Sequence, residues 1–381
     1  MDTKIMSALP TLKIGNHLAR YPIIQGGMGI RISGARLASA VANAGGVGII
    51  SAVALGFGSA YFDQRSAAGS AVRRRSTADP KQKGKRNIFA ANRLALIDEL
   101  QKARQLSPNG VIGINSMVAG QDHETLVRTA AEHGANLIVA GAGLPLHLPE
   151  YTRDYPDVAL VPIISSTRAA KVICRKWQRQ HNRLPDGFIV ENPNSAGGHL
   201  GSKKEELGKA EWNAEQVIPE LVTYVREELQ VRIPVIAAGG IWDRTDIDRA
   251  LSLGASGVQM GTRFITTDEC DADIKYKEFH RDAKPKDVVI VPSPVGLPGR
   301  ALNNPFAQKA IAQAPDLDKR CFGSCLQVCS CRDRREHYCI ARALDKAARG
   351  DVENGLIFAG SNAGRSDRIM PVQELIHELV S

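Results

Sequence analysis

One histidine in a glycine-rich turn is the strongest candidate in the sequence for proton-transfer chemistry. His199 lies near the end of the stretch 191–201, in which small residues and two adjacent glycines follow the apolar run 187–190. Glycine has no Cβ, so a glycine-rich backbone can approach a flat ligand closely, and histidine exchanges a proton near neutral pH. The turn therefore predicts a site for a ring-shaped ligand beside His199, with a plain surface turn as the alternative.

Two further glycine-containing segments, 237–241 and 259–263, have the composition of anion-binding loops. Adjacent glycines let several backbone N–H groups converge on one anion, and a threonine hydroxyl can donate one more hydrogen bond. We predict a phosphate site here, with purely structural turns as the alternative. The residues predicted to bind the phosphate are Gly239, Gly240, Gly261 and Thr262.

Five of the seven cysteines fall within residues 321–339, where they are closely spaced. Thiolates at short spacings are the ligands that Zn²⁺ and iron–sulfur clusters require. The spacing matches no standard ferredoxin or zinc-ribbon pattern, however, and basic residues on both sides favour reactive ionised thiols. A metal centre, a redox or disulfide role and inert thiols all stay open. For a metal centre, the predicted ligands are Cys321, Cys325, Cys329 and Cys339.

Repeated helix-to-strand units indicate the elements that position these residues. At 44–50, 133–139 and 253–259 a helix ends in glycine and a small residue, and an apolar strand begins within two residues. Glycine at a helix C-terminus followed by a strand that is apolar on both faces is typical of parallel β/α architecture. Eight strands are predicted, at 21–27, 46–52, 111–118, 137–143, 159–166, 187–193, 234–241 and 257–264.

Eight parallel strands of this kind predict a (β/α)8 TIM barrel, which belongs to the α/β class. A doubly wound open sheet is the alternative, but the glycines at 27–29 do not form the G-x-G-x-x-G fingerprint. The barrel is expected to span residues 1–290, with a long insertion at about 53–110 between its second and third strands. Residues 291–381 are expected to pack on the barrel as a lid, at 292–300, and a cysteine-rich helical extension.

The net charge of +9 is concentrated in one segment, because Arg65–Arg86 alone carries a net +7. A solvated insertion explains such a segment, and binding to nucleic acid or another acidic partner is the non-enzymatic alternative. Scarce aromatic residues argue against stacking on single-stranded nucleic acid. No apolar run approaches the ~20 residues of a membrane span and no signal-peptide core is visible, so a cytoplasmic protein is expected.

Four motifs in order along the chain resemble the nitronate monooxygenase (2-nitropropane dioxygenase) family. That family also contains flavin-dependent enoyl-acyl-carrier-protein reductases and NADH:quinone reductases. The Gly-Gly-Ile and Gln-Met-Gly-Thr motifs also occur in other FMN and phosphate barrels. The Gly-Gly-His turn, which lies between the first strand and these two motifs, makes the set of four motifs specific. The motifs lie at 21–29, 195–201, 234–241 and 257–264, and the likeness extends to 295–300 and 355–364.

The resemblance implies a non-covalently bound FMN whose phosphate lies at the two predicted anion loops. The flavin ring would lie against the end of the first strand, with Asn115 at its pyrimidine edge, and His199 would face the substrate as acid or base. The residues implied for the cofactor are Gly26, Gly27, Met28, Asn115, Glu191, Ser195, Ala196, Gly197, Gly198, Ala238, Gly239, Gly240, Gln259, Met260, Gly261 and Thr262.

The implied activity is oxidation of a nitronate with O₂ to a carbonyl compound and nitrite. The alternative is an NAD(P)H-dependent flavin reductase of an enoyl thioester or a quinone. The expected partners are therefore a small-molecule substrate and either O₂ or NAD(P)H, and a homo-oligomer is compatible with the sequence. Two departures from the family pattern bear on the substrate. Asn192 and Asn194 imply a more polar substrate site, and Ser361–Asn362 leaves open whether the chain belongs to the monooxygenase or the reductase branch.

Overall fold

The chain forms thirteen short strands over the part that the structure, a computed structural model, describes: residues 8–62, 80–321 and 323–381, with only the backbone for 80–87. The strands are β1 (Leu12–Ile14), β2 (His17–Ala19), β3 (Ile23–Gln25), β4 (Val47–Ser51), β5 (Val111–Met117), β6 (Leu137–Gly141), β7 (Ala159–Ile164), β8 (Phe188–Glu191), β9 (Gly198–His199), β10 (Val235–Ala238), β11 (Gly257–Met260), β12 (Val288–Val291) and β13 (Gly299–Leu302).

Strands β3 to β8, β10 and β11 are parallel neighbours in a closed barrel, with β11 pairing β3 and β10 pairing β8. The predicted (β/α)8 TIM barrel and all eight predicted strands are therefore confirmed, although each strand is shorter than predicted. The eighth predicted strand was wrong at its end, because the chain turns into a helix at Thr262 instead of continuing to 264.

Helices cover the outside of the barrel and fill the C-terminal part. They are α1 (Ala35–Asn43), α2 (Pro80–Leu106), α3 (His123–Glu132), α4 (Leu148–Tyr151), α5 (Thr167–His181), α6 (Ala214–Thr223), α7 (Arg244–Ser252), α8 (Thr262–Ile265), α9 (Ile274–Asp282), α10 (Pro305–Ile311), α11 (Ser330–Asp333), α12 (Ile340–Ala348) and α13 (Val372–Val380). Single turns lie at Lys204–Glu206, Ala210–Trp212, Tyr224–Glu228, Pro285–Asp287 and Ala363–Arg365.

The alternation of side chains along the strands separates two cores. Ile24 and Ile49 point into the barrel, whereas Ile23 and Ile50 pack against the surrounding helices. The hairpin of β1 and β2 buries Leu12 among the interior side chains and lies at the N-terminal ends of the strands. Because that end is covered, a ligand reaches the barrel from the opposite face, where the strands end.

Residues after the barrel contribute to two different places. Strands β12, β13 and β9 form a small antiparallel sheet, and the segments around it share a hydrophobic cluster of their own, which includes Phe306, Tyr338 and Leu356. Helix α13 instead returns to the barrel, where Leu375 and its neighbours join the main core next to α1. The hairpin of β1 and β2 and helix α13 therefore both pack on the barrel.

The C-terminal part of the predicted insertion at 53–110 contains one long helix, α2, which runs beside α1 and α3. The basic segment Arg65–Arg86 lies outside the residues whose side chains are described. Within the described ranges, no helix is both long enough and apolar enough to cross a bilayer.

We expect the return of α13 to the core to contribute strongly to stability. Leu375 is fully buried, so Leu375→Ala removes packed methyl groups and leaves a cavity; the free energy of unfolding should fall by roughly 2–5 kcal/mol. Leu18→Ala, at a side chain that is 61% exposed, is the control and should change it by less than about 0.5 kcal/mol. Urea unfolding followed by circular dichroism measures both. Equal effects of the two substitutions would contradict this packing.

Candidate functional site

A cavity of about 270 Å³ opens at the carboxyl ends of the barrel strands. The structure brings together every residue that the sequence assigned to cofactor binding or catalysis, because each of them lines this cavity. They are Gly26, Gly27, Met28, Asn115, Glu191, Ser195, Ala196, Gly197, Gly198, His199, Ala238, Gly239, Gly240, Gln259, Met260, Gly261 and Thr262.

The two predicted anion loops lie side by side at one end of the cavity, after β10 and β11. Gly239 and Gly240 both have positive φ angles, of 88° and 79°, which glycine adopts without strain. A Cβ on Gly240 would lie 2.9 Å from the Ser195 hydroxyl, so a side chain would also crowd the opposite wall. Helix α8, which follows Gly261, has only four residues. An anion at this end of the cavity would therefore be bound by converging backbone N–H groups rather than by the dipole of a long helix.

The segment 359–362 also lines the cavity, and sequence reasoning assigned it no role. It is hydrogen-bonded to both anion loops and to the Gly-Gly-His turn: Gly360 N–H donates to Thr262 Oγ1 at 2.8 Å, Asn362 Nδ2 to the Gly240 carbonyl at 2.8 Å, and Ser361 N–H to the Ser195 carbonyl at 3.0 Å. The run of small residues Ala-Gly-Ser-Asn-Ala-Gly at 359–364 was the signal that could have identified it.

The wall opposite the Gly-Gly-His turn is shaped for close approach to a planar ligand. A Cβ on Gly27 would lie 2.3 Å from Cβ of Asn115, so only glycine leaves room there. The buried polar atoms Ser51 Oγ, Ser195 Oγ and Gln259 Oε1 have no hydrogen-bond partner within the described part of the chain. Since buried polar groups are nearly always paired, these three atoms at the cavity are consistent with a polar ligand such as FMN.

Glu191 ends β8 inside the cavity. Burial raises the pKa of its carboxyl group to about 7, because a carboxylate loses its hydration there. Near neutral pH a substantial fraction of Glu191 is therefore protonated and able to donate a hydrogen bond to a ligand.

His199 is held by a strand that the C-terminal part of the chain supplies. It lies in β9, which pairs antiparallel with β13 so that His199 is opposite Gly299. Its Nε2 lies 2.9 Å from the hydroxyl of Ser293, and its ring meets the Phe358 ring edge-on at 5.0 Å. Ser293 belongs to the predicted lid segment 292–300, which therefore lies directly over the histidine. These contacts leave the ring one orientation.

The His199 imidazole is neutral near pH 7. Burial lowers its pKa to about 4, because the charged form would lose its hydration without gaining an acidic partner. A neutral imidazole has a free lone pair on one nitrogen and can accept a proton from a bound molecule. His199 can therefore act as a general base in this site and does not carry a permanent positive charge.

Arg300 holds the turn that carries His199. Its guanidinium is buried and donates to the backbone carbonyls of Pro193, Asn194 and Ala196. Burial lowers the pKa of Arg300, yet arginine keeps its charge in proteins, so three carbonyl dipoles offset a cation that has no carboxylate beside it among the described residues. Sequence reasoning missed this role, since an arginine in a Pro- and Gly-rich loop has no local signature.

The expectation of a more polar substrate site from Asn192 and Asn194 was wrong. Asn192 Oδ1 accepts the Asn194 N–H at 2.9 Å, and the Asn194 amide bonds to Lys209, Gly208 and Asn213. Neither side chain lines the cavity. Both amides stabilise the loop behind the turn instead.

A second cavity, of about 60 Å³, adjoins the first beyond His199. Val53, Met117, His199 and Leu344 line both cavities. The rest of its wall is mainly apolar, with Ile30, Leu126, Val295 and Leu326, while Asn92 and Asp122 bond to each other at 2.7 Å. An uncharged, apolar substituent of a substrate fits this space.

The cysteine-rich segment reaches the second cavity, because Cys325 lines it. Cys329, Cys331 and Cys339 are buried, Cys325 is half-buried beside the second cavity and Cys321 is exposed; all of them are free thiols. Across the described residues, no group of three or more His, Cys, Asp or Glu side chains is arranged to hold a metal ion. A preformed zinc-type site at Cys321, Cys325, Cys329 and Cys339 is therefore not supported, because its ligands would have to lie around a single point.

Comparison with known proteins gives one consistent likeness. The family model of nitronate monooxygenase matches residues 11–381. A probable nitronate monooxygenase of Staphylococcus haemolyticus is 26% identical over 300 residues, covering 76% of this chain and 77% of that protein. One from Staphylococcus saprophyticus is 35% identical over 124 residues, about a third of either protein. The solved structure of FabK from Thermotoga maritima has a TM-score of 0.67 at 26% identity and covers 95% of this chain and 92% of that chain.

We expect Gly240→Ala to weaken FMN binding by at least about tenfold. The substitution strains a backbone with φ of +79° and places a methyl group against Ser195. Gly134→Ala is the matched control, since Gly134 has a φ of +81° but nothing within 4 Å of its Cβ position. Fluorescence titration of the FMN-free proteins measures both affinities. A loss of affinity in Gly134→Ala equal to that in Gly240→Ala would attribute the effect to backbone strain alone.

Proposed function

Because this chain belongs to the nitronate monooxygenase family, we propose that it is an FMN-dependent oxidoreductase that oxidises nitronates with O₂ to a carbonyl compound and nitrite. The observation that carries the proposal is a neutral, oriented histidine at the junction of the two cavities. One cavity offers a polar, glycine-lined site to the cofactor, and the other offers an apolar space to the organic part of the substrate.

In this proposal FMN occupies the larger cavity, where it supplies the electron acceptor for the oxidation. The backbone N–H groups around Gly239, Gly240 and Gly261 hold its phosphate together with Thr262. Asn115 and the unpaired polar atoms of Ser195 and Gln259 bind its ring system. Glycines at 26 and 27 let the ring approach the barrel wall.

The role of His199 is to take a proton from the carbon next to the nitro group of a neutral nitroalkane. Its low pKa keeps the accepting lone pair available at neutral pH. Ser293 and Phe358 fix the ring plane, so the proton acceptor points at one place in the cavity. A substrate that arrives as the nitronate has already lost that proton and does not need the base.

The lid keeps water from the reacting centre. Residues 293–298 cross above His199, and the Pro298 carbonyl accepts the Leu200 N–H at 2.9 Å. Val295 and Leu344 present apolar groups to the space beyond the histidine. A dry site protects a carbanion from reprotonation by solvent.

The second candidate is an NAD(P)H-dependent reductase of an enoyl thioester or a quinone. The likeness to FabK over 95% of the chain favours it, and so does the apolar cavity, which accepts a hydrocarbon chain as readily as the alkyl part of a nitronate. In this reaction His199 would order or donate a proton. A depressed pKa leaves this histidine almost entirely unprotonated near neutral pH, so it rarely carries a proton to donate, which is why oxidation of the nitronate is preferred here.

Anaerobic mixing separates the two functions. We expect a nitronate to bleach the oxidised flavin absorbance rapidly, because it donates electrons without any nicotinamide, and O₂ to restore the absorbance. Stopped-flow absorbance with nitronate, NADH and NADPH in separate syringes measures this. Rapid bleaching by a nicotinamide and none by nitronate would overturn the proposal in favour of the reductase.

His199→Ala should separate the two forms of the substrate. Turnover of the neutral nitroalkane should fall by about 10²–10⁴, whereas turnover of the preformed nitronate should fall by less than about tenfold. Steady-state kinetics with both forms of one compound provide the internal control. Equal losses with the two forms would contradict a role as base.

The pH dependence of the ratio of nitroalkane to nitronate kcat/KM tests whether the His199 imidazole is neutral. A base with a pKa of about 4 stays deprotonated down to pH 5, so the ratio of nitroalkane to nitronate kcat/KM should be flat from pH 8 to pH 5. Taking the ratio cancels the titration of Glu191, whose pKa is about 7, wherever it affects both forms of the substrate equally. A drop in the ratio centred near the ordinary histidine pKa of about 6.5 would contradict the neutral-imidazole assignment.

A further inference from the structure

The cysteine-rich segment 321–339 and the start of α12 have no task in the proposed reaction, yet they form one wall of the second cavity. His199 lines both cavities and so marks the junction between them. Four residues of this wall line the second cavity but not the first, so they lie away from the junction. They are Cys325, Leu326, Ile340 and Ala341.

Hydrogen bonds hold this wall against the loop that follows β5. Leu326 pairs with Gly120 in a short antiparallel bridge, and the Cys325 carbonyl accepts the Gln121 N–H at 3.0 Å. The Leu326 carbonyl accepts two further hydrogen bonds, from Gln121 Nε2 at 3.1 Å and from Arg332 Nη1 at 2.6 Å. A wall tied to the barrel in this way yields little to a ligand, because packed protein interiors have low compressibility.

The surface that the wall presents to the cavity is apolar and uncharged. Leu326 and Ala341 are both buried. Burial raises the pKa of the Cys325 thiol to about 12, so the thiol is neutral near pH 7 and packs like a small apolar side chain. A hydrocarbon group can therefore contact this wall without the loss of any hydrogen bond.

The polar side chains elsewhere in the second cavity already have partners within the protein. Asn92 Nδ2 donates to Asp122 Oδ2 at 2.7 Å, and Asn92 Oδ1 accepts the Gly56 N–H at 2.8 Å. Ser116 Oγ lies 2.8 Å from His123 Nδ1. A polar substituent would have to replace one of these buried hydrogen bonds, and a buried polar group left unpaired is costly. The cavity therefore favours an alkyl end without polar atoms.

The volume of the second cavity sets a scale for that alkyl end. A water-sized group needs about 15 Å³ of such a cavity, so about 60 Å³ holds roughly four of these groups. A methylene group is of comparable size, so an alkyl end of about four carbons beyond the junction fills the cavity. A longer chain meets the wall that contains Leu326.

We propose that Leu326 and its neighbours in this wall limit the length of the substrate, so that the protein acts on short aliphatic nitro compounds whose alkyl end carries no polar group. The inference rests on the proposed function, because the nitro group is assigned by that function and the alkyl end by the second cavity. It gives the cysteine-rich segment a role in substrate selection.

Two substitutions in the wall should move the length limit in opposite directions. Leu326→Ala removes most of a buried side chain, so the limit should lengthen by about two to three methylene groups. Ala341→Val adds methyl groups to the wall, so the limit should shorten by about one to two methylene groups. Val328→Ala is the matched control, because Val328 lies on the same segment and its side chain is 77% exposed.

Unbranched primary amides from propionamide to decanamide are the probe, because a flavin neither oxidises nor reduces their planar head group. Titration of the FMN-loaded, full-length protein, followed by the flavin absorbance, gives a Kd for each amide. Each methylene group buried in the cavity should tighten binding by about fourfold. In the wild type the gain should stop at one chain length, and kcat/KM for the corresponding nitronates should be greatest at that length.

Three results would overturn the proposal. They are a wild-type affinity that keeps rising to the longest amide, the same limit in the wild type, Leu326→Ala and Ala341→Val, and a shift in Val328→Ala as large as that in Leu326→Ala. Far-ultraviolet circular dichroism and FMN content verify that each variant is folded. A length limit in the amide series without any turnover of nitronates would contradict the proposed function alone, so the two failures are distinguishable.

Discussion

The site depends on one interaction between distant parts of the chain, the antiparallel pairing of β9 with β13. A turn rich in glycine loses much conformational entropy when it is ordered, so by itself it would not hold the His199 side chain in place. Pairing with Gly299 and Arg300, together with the Arg300 guanidinium on three carbonyls, supplies the order from outside. The position of His199 therefore depends on contacts with the segment that follows the barrel as well as on its own turn.

Burial acts in opposite directions on two ionisable groups of the same cavity. It lowers the pKa of His199 to about 4 and raises that of Glu191 to about 7, because in both cases the charged form loses water. The result near neutral pH is an uncharged base and a carboxyl group that is protonated in a large fraction of molecules. A cavity in this state accepts a neutral substrate readily, since neither group repels it or demands a counter-ion.

Much of this arrangement could be predicted from the sequence because it is local. The unit of a helix end, glycine, a small residue and an apolar strand recurs along the chain, and parallel strands of one barrel end at the same face. His199 and the two anion loops are therefore predicted to share a rim, and the family resemblance adds Asn115 to them; all of these residues line one cavity.

The parts that sequence reasoning missed depend on contacts between remote segments. Arg300, Ser293 and the segment 359–362 reach the cavity only because the chain after the barrel folds back over it. The misreading of Asn194 has the same origin, since nothing local indicates that its amide bonds to Lys209 and Asn213 in a later loop. Spacing identifies what a motif contains, and tertiary packing decides which way its side chains face.

The hydrogen bond from Asn362 to the Gly240 carbonyl has a consequence for biosynthesis. The cofactor cavity takes its walls from residue 26 at one extreme and residue 362 at the other. Domains generally fold from the N-terminus while the ribosome is still adding residues. The barrel strands can therefore pair during translation, whereas the cavity is completed only after residue 362 has emerged. A ligand of this cavity therefore has to wait for residue 362, and a chain that ends before that residue would lack a finished cavity.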